Sequence, residues 1–135
     1  MSDWKAFPYQ AVGGNAMPLL PIILAHGEVS VRTHGLVDSG AAVNVIPFSV
    51  GLSLGLRWED ERPVVHLGGM LSGRRAKAVV LTGRVPGFDE GNLAFAWCES
   101  DDVRVIFGQM NFFRTFDVQF RLADMCFDLR QRNRE

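Results

Sequence analysis

The apolar residues of this chain come in short runs cut by glycine, proline or acidic turn sequences, a punctuation that favours strands and tight turns over a helix bundle. The longest run, Met17 to Ala25, is broken by Pro18 and Pro21, and it falls far short of the ~20 residues a spanning helix needs. Leu19 to His26 reads as a strand that stops at Gly27. Gly27-Glu28 reads as a hairpin turn, after which Val29 and Val31 alternate with Ser30 and Arg32 through a strand ending near Val37. Val43 to Ile46, Val64 to Leu67, Ala76 to Leu81, Leu93 to Trp97, Val103 to Phe107, Phe116 to Leu122 and Met125 to Leu129 have the same character. Pro47 suits the start of a short helix running to about Leu54 and ended by Gly55. Gln109 to Phe113 predicts a second short helix. The resulting class is all-β, with about nine strands in a barrel or sandwich.

Length and charge narrow the reading further. A chain of 135 residues fits one domain. Residues 17–130 are assigned to it, 1–16 to an irregular lead-in with a turn at Gly13-Gly14-Asn15, and 131–135 to a polar tail. Charged residues make up 21% and hydrophobic ones 47%, ordinary globular composition. A net charge of −1 supplies no field to hold nucleic acid or an anionic membrane, so neither is expected as a partner. The N-terminus lacks a basic segment followed by an apolar run, so a cytoplasmic location is expected. Two cysteines, Cys98 and Cys126, read as small buried hydrophobes.

Several motifs carry little. Gly51-Leu52-Ser53-Leu54-Gly55 fits the nucleophile-elbow pattern, but a charged loop, Glu59 to Pro63, follows where that motif needs a long helix. A short helix packed by Leu52, Leu54 and Leu56 explains it better. His26, His34 and His66 are scattered singly, without ligand spacing, so no metal or other cofactor is expected. Arg74, Arg75 and Lys77 read as a solvated face beside a glycine-rich tip, where substrate steering is a weaker option.

The informative string is Leu36-Val37-Asp38-Ser39-Gly40-Ala41-Ala42-Val43-Asn44-Val45-Ile46-Pro47. Asp-Ser-Gly alone is ordinary turn chemistry. Set between an apolar pair and an apolar strand that ends at a helix-starting proline, it resembles the aspartic protease clan, and within it the single-domain retropepsin-like family. Two later features resemble that family in order and spacing: the glycine-rich hairpin tip Gly68-Gly69-Met70-Leu71-Ser72-Gly73, and Ile106-Phe107-Gly108 opening onto a short helix.

The resemblance implies a closed acid-protease-like barrel with two short helices and a flap hairpin. It implies peptide hydrolysis by two carboxylates sharing a proton across a bound water. The chain carries one Asp-Ser-Gly string, so the implied enzyme is a homodimer with Asp38 given by each subunit. Ser39 would bond across the dimer, Gly40 would let backbone N–H groups approach the carboxylates, and Ala41 would sit beside substrate. Gly68, Gly69, Met70 and Leu71 would lie at the flap tip over an extended peptide or protein segment, with Met70, Leu71 and Val43 as apolar linings. Ile106, Phe107 and Gly108 would support the Asp38 loop from below. The Phe116–Leu129 hairpin would either join the dimer interface or close each subunit's barrel. Two rival readings stand beside this one: a catalytically silent module of the same fold that binds peptide or dimerises, and a plain barrel with Asp38 as a turn residue.

Overall fold

In the computed structural model, which describes residues 3–59 and 62–132, alternation and turn chemistry lay the strands down in order. β1 (Lys5–Pro8), β2 (Gln10–Val12) and β3 (Asn15–Met17) precede the long hairpin β4 (Leu19–His26) and β5 (Val29–Val37). β6 (Val45–Ile46) leads into α1 (Phe48–Ser53). A second hairpin, β7 (Val64–His66) and β8 (Arg75–Arg84), is followed by β9 (Gly91–Cys98) and the two-residue β10 (Ile106–Phe107). α2 (Phe112–Thr115), β11 (Phe116–Arg121) and β12 (Cys126–Gln131) complete the described chain.

Six strands close on themselves. The order runs β4-β5-β10-β6-β9-β8, and β8 returns to β4 through Ile23↔Arg84, Leu24↔Gly83 and Ala25↔Thr82. β7 hangs outside the ring on β8. Inside, Leu20, Ile22 and Leu24 alternate along β4 with half-buried neighbours, and meet Val79 and Leu81 of β8 and Phe95 and Trp97 of β9 in one core. At ~25 cal/mol per Å² of apolar surface, this ring of large side chains is the main stabilising term. β10 is inserted between β5, parallel to it, and β6, antiparallel to it. That insertion carries residues 105–108 to the end of β5 where Asp38 begins its loop.

Several sequence expectations need correction: the strand expected over Val103 to Phe107 is limited to Ile106–Phe107, and Lys77, read as part of a solvated face, is buried. The lead-in is not irregular: β1 pairs with β12 from Lys5↔Leu129 to Pro8↔Cys126, Phe7 is buried in the core, and β2 and β3 form a hairpin around the expected Gly13-Gly14 turn. The β11–β12 hairpin does not close the barrel. It forms a separate three-stranded sheet in the order β1-β12-β11, and Gln131, assigned to the tail, still pairs with Phe116. The second helix begins at Phe112, because Asn111 sits at φ 79°, outside the helical region. Leu52 is 51% exposed, so of the three leucines expected to pack the first helix only Leu54 and Leu56 are buried. Residues 1, 2 and 133–135, and 60 and 61 of the expected charged loop, lie outside the described residues.

The nucleophile-elbow match resolves into packing. A Cβ on Gly51 would meet the Trp97 indole at 2.2 Å, and Gly55 sits at φ 81° just past the helix. Among the described residues, no helix is long and apolar enough to cross a membrane.

Candidate functional site

The Asp38 loop is built from backbone ties before any side chain enters. Val37 donates its N–H to Pro18 O at 3.0 Å, and Asp38 donates its own to Phe107 O at 3.0 Å. The chain then turns, with Ala41 N–H on Asp38 O at 3.1 Å and Gly40 N–H on the Asp38 carboxylate Oδ1 at 2.9 Å. Asp38 is half-buried, while Ser39 and Gly40 are exposed. One carboxylate oxygen is thus held by a backbone donor at the rim of a fixed loop.

A second loop, 108–111, locks the first from beneath. Gln109 N–H reaches Ala41 O at 2.8 Å, Met110 N–H reaches Ala42 O at 2.8 Å, and the Gln109 side chain donates to Ser39 O at 2.6 Å. Gly108 is the closest approach: a Cβ there would lie 2.5 Å from Val43 O and 2.8 Å from Ala41 O. No other residue fits without moving the backbone that carries Asp38.

Asn44, which the sequence reading passed over, joins the two loops and is completely buried. Its Oδ1 accepts from Gly108 N–H at 2.8 Å and its Nδ2 donates to Ala94 O at 2.9 Å. Its backbone carbonyl accepts from Ala96 N–H at 2.7 Å. Asn111 continues the network by accepting from Ala94 N–H at 3.0 Å. A polar residue inside the apolar run Val43-Asn44-Val45-Ile46 was the available signal, since a buried amide persists only with its donors and acceptors matched.

The expected supporting residues fall on two sides of β10, as strand alternation requires. Phe107 is fully buried in the main core, stacked on Phe112 at 4.7 Å. Ile106 faces the other way, into a smaller apolar cluster around Val45, Ala76, Ala96 and Cys98, where Val43, Val103, Leu67 and Leu71 are half-buried beside it. Val43 and Leu71 thus pack against the same small cluster. Met70 does not join them: it is 95% exposed at the hairpin tip, on the single 3-10 turn Gly69–Leu71 that Gly68 precedes. Burial pushes the Cys98 thiol up from its ordinary value, consistent with a packing role. His26, His34 and His66 lie on three different strands, and among the described residues no group of three or more His, Cys, Asp or Glu side chains is placed to hold a metal ion.

No protein-family model matches the chain, and no curated protein matches it in sequence. Solved structures do match it. A retropepsin-like aspartic protease from Rickettsia conorii superposes with a TM-score of 0.64 over 97% of this chain and 94% of that one, at 16% identity. The chain has a retropepsin-like fold. EIAV protease complexed with the inhibitor HBY-793 matches with a TM-score of 0.50, at 16% identity, over 73% of this chain and 88% of that chain. The β1-β12-β11 sheet, formed by the two ends of the described chain, stands outside that barrel.

Proposed function

We propose that the chain is an aspartic endopeptidase that acts as a homodimer, with one Asp38 from each subunit at its centre. The observation that carries this reading is the Asp38 loop: a half-buried carboxylate, bonded by Gly40 N–H and pinned by Gly108 and Gln109, on a retropepsin-like barrel. Two carboxylates at such a site share one proton. The ionised partner draws a proton from a water held between them, and that water attacks the scissile carbonyl. The protonated partner donates to the carbonyl oxygen, and the tetrahedral intermediate collapses as the departing nitrogen takes up a proton. No covalent enzyme intermediate is needed. Exposed Ser39 would bond across to the facing loop, Ala41 would border the substrate, and the β7–β8 hairpin would serve as the flap. Leu71, Val43, Val103 and Ile106 supply the apolar lining, and exposed Met70 lies outside it. The free thiols of Cys98 and Cys126 suit a reducing compartment such as the cytoplasm.

The test is cleavage of a denatured protein or peptide library at mildly acidic pH by the wild-type chain and by Asp38→Asn, with the dimer followed by sedimentation. Asn keeps the shape and most hydrogen bonds of Asp, so the variant is expected to fold and dimerise as before and to lose cleavage by ~10³-fold or more. Cleavage retained by Asp38→Asn would place the chemistry elsewhere. A wild-type dimer that cleaves nothing would favour the silent peptide-binding module.

A further inference from the structure

The β7 arm and the tip of the β7–β8 hairpin are lightly held, although β8 itself is paired along β9. β7 is the last strand of its sheet, only three of its residues are paired, and residues 67–74 extend beyond the ladder. Leu67 and Leu71 rest on the small apolar cluster. The directional contact is made by Arg74. Its Nε and Nη2 donate to the two carboxylate oxygens of Asp102 at 2.9 and 2.5 Å, while its Nη1 donates to Met70 O at 3.0 Å. One guanidinium therefore closes the tip on itself and ties it to the turn between β9 and β10.

That turn is itself anchored. The Ser100 hydroxyl donates to Asp102 Oδ1, and Asp102 N–H donates back to the Ser100 oxygen at 3.2 Å. Phe48 N–H reaches Ser100 O at 3.1 Å and Ser49 N–H reaches Asp101 Oδ1 at 2.8 Å, docking the turn on the start of α1. From Asp102 the chain runs through Val103 into β10 and on to Gly108 beneath the Asp38 loop. The segment that receives the hairpin tip is thus continuous with the floor of the candidate site.

We propose that Arg74 is a positioning residue, whose two-pronged pair with Asp102 sets the flap tip over the Val43 and Ile106 floor before a peptide arrives. The inference rests on the peptidase reading above. A guanidinium matches a carboxylate through two fixed donors and has a third left for Met70 O, whereas a lysine is a point charge and cannot make all three contacts. A tip ordered in advance loses less freedom when it closes on an extended peptide, so the effect belongs in substrate binding more than in the chemical step. The pair is partly exposed to solvent, so added salt should loosen it.

The experiment is amide hydrogen exchange on the full chain and on Asp102→Asn, Arg74→Lys and Asp102→Glu, beside peptide cleavage kinetics. The amides of Leu71, Ser72 and Arg74, each bonded within the tip, are expected to exchange roughly threefold to tenfold faster in Asp102→Asn and Arg74→Lys. The β8–β9 amides should not change. KM should rise severalfold in those two variants with kcat within about twofold, and Asp102→Glu should retain most of the wild-type behaviour. Unchanged tip exchange in both variants overturns the proposal. So does faster exchange spread through β8 and β9, which would make the pair a general stabiliser. Exchange needs no turnover, so those failures leave the peptidase reading intact. A wild-type chain without cleavage overturns that reading and this inference with it.

Discussion

Asn44 shows how much one side chain can carry in this molecule. It is separated from Gly108 and Asn111 by more than sixty residues of chain, yet its amide satisfies Gly108 N–H and Ala94 O at once. Asn44→Ala would leave the buried Gly108 N–H and the part-buried Ala94 O without this partner. The expected cost is ~2–4 kcal/mol in urea unfolding, and a loss under about 0.5 kcal/mol would mean that water replaces the amide. Asn44→Asp is expected to do at least as much harm at neutral pH, because it removes the donor to Ala94 O and places a charge at a fully buried point. The turn at Asp38 was legible because its string is local: an apolar pair, a turn and a strand start lie within twelve residues. Asn44 was not, because the groups that explain it come from two other segments and no local rule announces them. Gly108 was half legible. Its place after two apolar residues was visible, but the reason for glycine, the carbonyls of Ala41 and Val43 against its Cα, belongs to the packed state.

Among the elements, those formed by neighbours in sequence were readable and those formed by distant pairing were not. The β4–β5 hairpin carries its own turn and alternation, and the expected boundaries hold to within a residue or so. β1 carries one buried side chain, Phe7, and owes its existence to residues 126–129. The sheet it joins has a pH dependence of its own. Arg130 and Arg132 beside Asp117, and Arg121 beside Asp128, hold both carboxyls below the ordinary carboxylate value. Arg121 also bonds Asp124 at 2.8 Å. A depressed folded value means that the stabilisation is complete above the unfolded carboxylate value, near 4, and is lost as pH falls through the lower folded values. The thermal midpoint should therefore drop as pH falls below about 4, and Asp128→Asn should reduce that drop. A variant with the same pH profile as the wild type would show that the pair with Arg121 contributes nothing to stability.

At the scale of the whole molecule, one Asp-Ser-Gly string per chain and the two carboxylates of the proposed reaction lead to a stoichiometric test. If each active centre takes Asp38 from both subunits, a chain bearing Asp38→Asn is more than inactive: it spoils every partner it joins. Equal amounts of wild-type and variant chains, exchanged to equilibrium, should then show about half the activity of the wild-type chains alone, because about half of those chains sit in mixed dimers. A larger excess of variant should drive activity toward zero. Diluting the wild type below its dimer dissociation constant should lower activity per chain in the same way. If activity per chain held constant on dilution and was indifferent to added Asp38→Asn, each subunit would be complete by itself. One carboxylate would then have to do the work of two, and the shared-proton mechanism would fail.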